Sequence, residues 1–133
     1  MRNYLSKLYR LNNFINSNLE ELKRLRELSV SLPAMNYDKE RVKGGTDEDK
    51  LQNAVCDIIE LEEKIKSEID EFVKVENEIR EVINRQEDVD ERLLLRLRYI
   101  EFNTFEQISI KMNYSLRQIW RIHKKALKNV KMS

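Results

Sequence analysis

A chain of 133 residues with two glycines and one proline has few places to turn, so long uninterrupted helices are expected rather than a turn-rich fold. Charged residues make up 37% of it and apolar ones 41%, which leaves too little core for an enzyme-like interior, and the single Cys56 excludes an internal disulfide framework. The net charge of +1 hides a segregation: residues 1–46 hold nine Lys/Arg against five Asp/Glu, residues 47–87 six against fourteen, and residues 88–133 ten against five. A basic end on an acidic middle is the asymmetry expected when one module meets nucleic acid.

The start, Met1 to Lys7, has no apolar core of signal-peptide length, and no stretch approaches the roughly 20 apolar residues of a membrane span. A cytoplasmic location and no membrane partner are therefore expected. From Tyr4 the apolar positions advance by fours and threes through Leu8, Leu11, Ile15, Asn18, Leu22, Leu25, Ser29 and Leu32. That is a heptad seam, interrupted only by Asn18 and Ser29, and it predicts a helix over about 2–32 that Pro33 ends. The span 33–46, with Pro33, Gly44 and Gly45, reads as a flexible connector, and Thr46 with Asp49 as a capping box opening a second helix over 47–86. Its seam is read as Leu51, Val55, Ile58, Glu62, Ile65, Ile69, Phe72, Glu76, Ile79 and Ile83. About forty helical residues would reach some 60 Å, too long for a single small globule to cover, so a partner helix is required. The basic first helix is the evident candidate, folding back as an antiparallel hairpin or coiled coil that could dimerise further. Heptads alone leave open whether the pairing is within or between chains.

Residues 87–133 form a separate module with a denser apolar pattern. A helix is predicted over 89–102, broken by Asn103 and Thr104. Thr104 with Gln107 caps a short helix ending near Met112, and Ser115 with Gln118 caps a last one from Leu116 to about Val130. Between the last two lies Asn113, the non-glycine residue type most tolerant of a left-handed backbone. Ile108, Met112, Ile119 and Ile122 have the spacing to form the apolar pocket between them. At 100° per residue, Ile119, Ile122, His123, Ala126 and Val130 share one face of the last helix. Arg117, Arg121, Lys124, Lys125 and Lys128 fall on the other, with no acid among them. A solvated helix normally interleaves both signs, so this stripe points to phosphate and major-groove contact by a helix-turn-helix. Arg117 and Arg121, near the helix start, are the candidates for reading bases, and Lys124, Lys125 and Lys128 for phosphates. For Trp120, on the flank, packing and groove contact both remain open.

Leu95-Arg96-Leu97-Arg98-Tyr99, Thr104-Phe105-Glu106-Gln107-Ile108 and Ser115-Leu116-Arg117-Gln118-Ile119-Trp120-Arg121-Ile122 together resemble region 4 of bacterial sigma factors. The whole chain is similar to small phage-encoded proteins of Gram-positive hosts, of the kind of the RinA and ArpU late-gene regulators. The resemblance implies an all-α fold with a sigma-region-4-like helix-turn-helix, binding to double-stranded DNA near a promoter, activation of late phage genes, and contact with host RNA polymerase in the bacterial cytoplasm. It matches the groove-facing positions to Leu116, Arg117, Trp120 and Arg121. Sigma factors usually carry polar or charged residues where Leu116 and Trp120 stand, so the base code differs.

With one His and one Cys on different modules, and no Gly-rich phosphate loop or metal-ligand cluster, no enzyme, cofactor or metal site is expected. The expected function is a sequence-specific transcriptional regulator whose DNA-binding residues are Ser115, Leu116, Arg117, Gln118, Trp120, Arg121, Lys124, Lys125 and Lys128. The alternatives are a phage DNA-packaging recognition subunit of the small-terminase kind, which would form a ring, and a coiled-coil adaptor that binds no DNA.

Overall fold

The computed structural model describes residues 2–37 and 44–130, and its elements are all helical: α1 (Arg2–Leu5), α2 (Lys7–Tyr37), α3 (Gly44–Asn84), α4 (Val89–Tyr99), α5 (Phe105–Met112) and α6 (Leu116–Asn129). No helix among the described residues is long and apolar enough to cross a membrane. Ser6 alone separates α1 from α2, and the ladder crosses it, with the Ser6 N–H on the Arg2 carbonyl at 2.9 Å and the Arg10 N–H on the Ser6 carbonyl at 3.2 Å. Helix runs on through Pro33 to Tyr37 and begins again at Gly44, so much of the span read as a connector is helical and Thr46 lies inside α3 rather than at its cap. A proline removes one backbone donor from a helix, and here that loss falls in the closing turns of a 31-residue element. Residues 38–43 of the expected connector lie outside the described residues.

Two compact units share α2 and α3: residues 13–70 form one, and residues 1–12 with 71–133 the other. In the first, α2 buries Ile15, Asn18 and Leu22 and α3 buries Ala54 and Ile65, with Leu25, Ile58, Leu61 and Glu68 half-buried beside them. The Asn18 amide donates to Glu68 Oε1 at 2.7 Å, and Arg26 pairs with Glu62. Numbers that rise along α2 fall along α3 in these pairs, so the two segments run antiparallel within one chain.

The seam of α3 differs from the one its sequence suggests. Ala54, Ile58, Leu61, Ile65 and Glu68 line it, followed in the other unit by Phe72, Val75, Ile79 and Val82, while Leu51, Val55, Glu62 and Ile69 are exposed. The two registers share Ile58, Ile65, Phe72 and Ile79, and Ile83 of the expected seam is buried beside Val82. What separates them is energy: the observed one replaces Glu62 and Glu76 by Leu61 and Val75, and sets its remaining polar member, Glu68, against Asn18. The Arg26–Glu62 pair, more than two-fifths exposed on both sides, contributes about 1 kcal/mol at most.

In the second unit one apolar cluster joins Leu5 and Leu8 to Val75, Ile79, Val82 and Ile83 of α3, Leu95 and Tyr99 of α4, Ala126 of α6, and Val130 just beyond it. A second joins Leu94 and Leu97 of α4 to Ile108 of α5 and Ile119 of α6, with Phe105, Met112, Tyr114 and Ile122 packed on its edge. Helix α4 therefore carries a buried face on each side. It begins at Asp88, whose side chain accepts from the Glu91 N–H at 3.0 Å.

Helix α4 stops at Tyr99, short of the expected 102. The Asn103 N–H and side-chain amide both return to the Leu97 carbonyl, at 2.9 and 3.1 Å, and Phe102 takes a left-handed backbone with φ of 59°. For a residue with a Cβ that conformation costs about 1–2 kcal/mol. It is offset by the half-burial of the Phe102 ring, which meets Tyr9 edge to face at 5.5 Å.

The Asn18–Glu68 pair gives the first prediction. Asn18→Ala, which strands a half-buried carboxylate, should lower stability by roughly 1–2 kcal/mol. The double change Asn18→Leu/Glu68→Leu should raise the melting temperature above that of the parent, because an apolar layer replaces a desolvated polar one. Chemical and thermal denaturation measure both.

Candidate nucleic-acid interface

Helix α6 is positioned by its caps and by one buried face. At its start Ser115 accepts from the Gln118 N–H at 3.2 Å while Gln118 Oε1 accepts from the Ser115 N–H at 2.9 Å, a reciprocal capping box. A second box, Thr104 with Gln107, opens α5. Between the helices Asn113 takes φ 59° and ψ 42°. Its N–H returns to the Ile110 carbonyl at 3.3 Å, and the Tyr114 N–H to that of Ser109 at 3.2 Å, the paired bonds that close a helix on a left-handed residue. The Ser109 hydroxyl donates to the Tyr114 carbonyl and the Tyr114 hydroxyl to Asp90 Oδ2, at 2.7 Å, so the turn is tied both to itself and to α4. That bond to a carboxylate raises the Tyr114 pKa above the ordinary phenol value.

The buried face of α6 consists of Ile119, His123 and Ala126. At its far end Asn129 donates to Glu91 Oε1 at 3.1 Å, and the Gln86 amide spans Glu91 Oε1 (3.2 Å) and the Ala126 carbonyl (3.4 Å). The loop after α4 is held from Asn103: its carbonyl accepts from Arg98 at 3.0 Å and its Oδ1 from Lys111 at 2.9 Å. Sequence reasoning missed Gln86 and Asn129 as organising residues because their partners Ala126 and Glu91 lie 40 and 38 positions away, and it read Asn103 only as the end of a helix. The Asp88 cap was the one part of this set with a local signature, an Asp three residues before Glu91.

On the opposite face Arg117, Arg121, Lys124, Lys125 and Lys128 are all exposed. None makes an ion pair with another described residue. Lys125 and Lys128 border a groove of about 490 Å³ shared with Arg85, Glu87, Asp88 and Glu91. Arg117, Arg121 and Lys124 stand away from that acidic rim. No acid occupies the first turn of α6, and Arg117 stands there in its place. A cation at the positive end of a helix dipole opposes folding by some tenths of a kcal/mol, and the same positive end attracts a bound anion. Trp120 is 56% exposed and lies outside both apolar clusters, and Leu116 is half-buried. Ser115 and Gln118, though exposed, are occupied with each other in the cap.

His123 is buried at 7% exposure under this face. It shares a 2.6 Å hydrogen bond with the Tyr99 hydroxyl and meets the Phe105 ring at 5.1 Å, while Arg98 lies 4.3 Å over that ring. Burial, and then the positive charges of Arg2 and Arg98, push its pKa from 6.5 to about 4. Burial likewise raises Tyr99. The ring is therefore a neutral core member, and among the described residues no group of three His, Cys, Asp or Glu side chains could hold a metal ion.

The arrangement defines an all-helical protein whose last helix turns one face to a packed core and a cationic face outward. The chain belongs to the family described as "Protein of unknown function (DUF1492)", whose sequence model matches residues 29–131. Comparison with curated proteins and with solved structures gave no match.

The shifted histidine makes stability depend on acidity in a defined window. An unfolded His123 binds a proton near pH 6.5, whereas the folded one declines it until about 4. Between those values the unfolded state binds more protons, so the contribution is complete above 6.5 and is lost as pH falls through the window. Urea unfolding at pH 5 rather than pH 7 should lose about 2 kcal/mol from this group. In His123→Gln, which cannot titrate, that increment should disappear.

Proposed function

We propose that the chain is a sequence-specific, double-stranded-DNA-binding transcriptional regulator. In this reading α5 and α6 form a helix-turn-helix of the sigma-region-4 kind, and α6 lies in the major groove. The observation that carries it is the acid-free, unpaired cationic face of α6 opposite a buried face. Arg117 and Arg121, in the first half of the helix, would grip base edges, and Lys124, Lys125 and Lys128 would meet phosphates. The glutamates and aspartate around Lys125 and Lys128 reduce what those two contribute, which favours Lys124 as the strongest phosphate contact.

The antiparallel pair of α2 and α3 serves in this reading as a helical hairpin that carries a homodimer contact. Exposed Leu19, Val55, Ile59 and Ile69 on the unit of residues 13–70 support self-association. A two-fold dimer would read half-sites about 34–36 Å apart, or a multiple of that spacing. The resemblance to sigma region 4 and to phage late-gene regulators extends the proposal to late phage genes, host RNA polymerase and the bacterial host cytoplasm. The same exposed apolar residues also suit a ring-forming phage DNA-packaging subunit. Particle mass separates the two: a ring belongs to packaging and a dimer to regulation.

Arg121→Ala should cost on the order of 1–3 kcal/mol at a specific site and relax the base preference there. Lys124→Ala should weaken binding to every sequence alike and flatten the salt dependence by about one ion. Titration of both variants against specific and random duplexes at several salt concentrations measures this. Unchanged binding in both would favour an adaptor that uses the stripe for protein contact.

A further inference from the structure

Trp120 is the feature of α6 that neither packing nor charge accounts for. Its indole stands 56% exposed, belongs to neither apolar cluster, and sits among Arg117, Arg121 and Lys124. It also makes no ring contact with another described residue. Leu116 lies one helical turn before it and Lys124 one turn after, so the three form a single ridge, apolar first and cationic last. The ridge borders the Arg117–Arg121 row and occupies the half of the helix that enters a groove first. A polyanion is the occupant that this charge selects. An exposed indole on a polyanion-binding face needs an apolar group to cover it.

Resting on the reading of α6 as a major-groove helix, the geometry points to Trp120, supported by Leu116, as a reader of the pyrimidine 5-methyl group of thymine. The major-groove edge of DNA offers hydrogen-bond donors and acceptors at every base pair, and thymine alone among the four bases adds a methyl group there. A flat indole beside two arginines would bury that methyl while the guanidinium groups hold neighbouring guanine edges. The site would therefore combine a required thymine with an adjacent arginine-read guanine. Methyl recognition also gives the exposed Trp120 and the half-buried Leu116 beside the arginine row a role, since further arginines there would read guanine rather than thymine.

The test uses the full chain and a duplex it selects from randomised DNA. Each thymidine is replaced singly by deoxyuridine, which removes the methyl and leaves every hydrogen-bonding group in place. The parent protein should lose about fivefold in affinity at one or two neighbouring thymines and nothing at the others, the effect of exposing one buried methyl. Trp120→Ala should bind the thymidine and deoxyuridine duplexes equally, with the parent's salt dependence and circular dichroism. Leu116→Ala should show a reduced preference for the methyl. Indifference of the parent to deoxyuridine at every position, or a full methyl preference kept by Trp120→Ala, overturns the assignment while leaving DNA binding standing. Failure of the parent to select any duplex overturns the DNA reading and this inference with it.

Discussion

Ile119, His123 and Ala126 must be buried for the second unit to fold, and that constraint divides α6 into two faces. Ile119 closes the cluster that α4 shares with α5, while Ala126 enters the cluster that α4 shares with α3 and the N-terminal helix. Between them His123 is held neutral against Tyr99. With three points of one face fixed over two turns, helical geometry leaves no choice about the other, and every lysine and arginine of α6 is turned to solvent. The cationic stripe is thus a consequence of core packing, and its precision is that of the core.

Polar contacts then lock what apolar packing has placed. Asn103 ties together the end of α4 and the side chains of Arg98 and Lys111, and the Gln86–Glu91–Asn129 group fastens the far end of α6. The turn before α6 is closed by the left-handed Asn113 and by Tyr114 on Asp90. For the proposed role of α6 this rigidity matters, because a base-edge hydrogen bond is lost over a fraction of an ångström. Near the Lys125–Lys128 end, carboxylates of Glu87, Asp88 and Glu91 share a groove with the lysines, whereas Arg117, Arg121 and Lys124 do not border it.

Much of this was legible in the sequence because it is local. The all-helical class follows from the scarcity of glycine and proline, and the caps at Thr104 and Ser115 and the turn at Asn113 follow from residue types at fixed offsets. The spacing that set Ile119, His123 and Ala126 apart from the arginines and lysines also holds. The register of α3 was only partly legible, since its apolar residues satisfy two heptad frames that share Ile58, Ile65, Phe72 and Ile79 and both bring Ile83 near the core. The observed frame is the one that seats Leu61 and Val75 in place of Glu62 and Glu76, and the bond of the distant Asn18 to Glu68 makes its remaining polar position tolerable. Long-range contacts likewise hid the placing of Leu5 and Leu8 under α4 and α6, and of Gln86 against Ala126. The end of α4 at Tyr99 escaped because a left-handed phenylalanine goes against local preference and is paid for by the Tyr9 ring and by Asn103.

The most direct measurement is retention of fragments of its own genome by the purified full chain, at low and at moderate salt with competitor DNA present. One promoter-proximal fragment should be held at both concentrations, while bulk DNA is held only at the lower. No fragment retained at either concentration would contradict the DNA-binding reading, and would return the face of Arg117, Arg121 and Lys124 to a protein partner or to solvent.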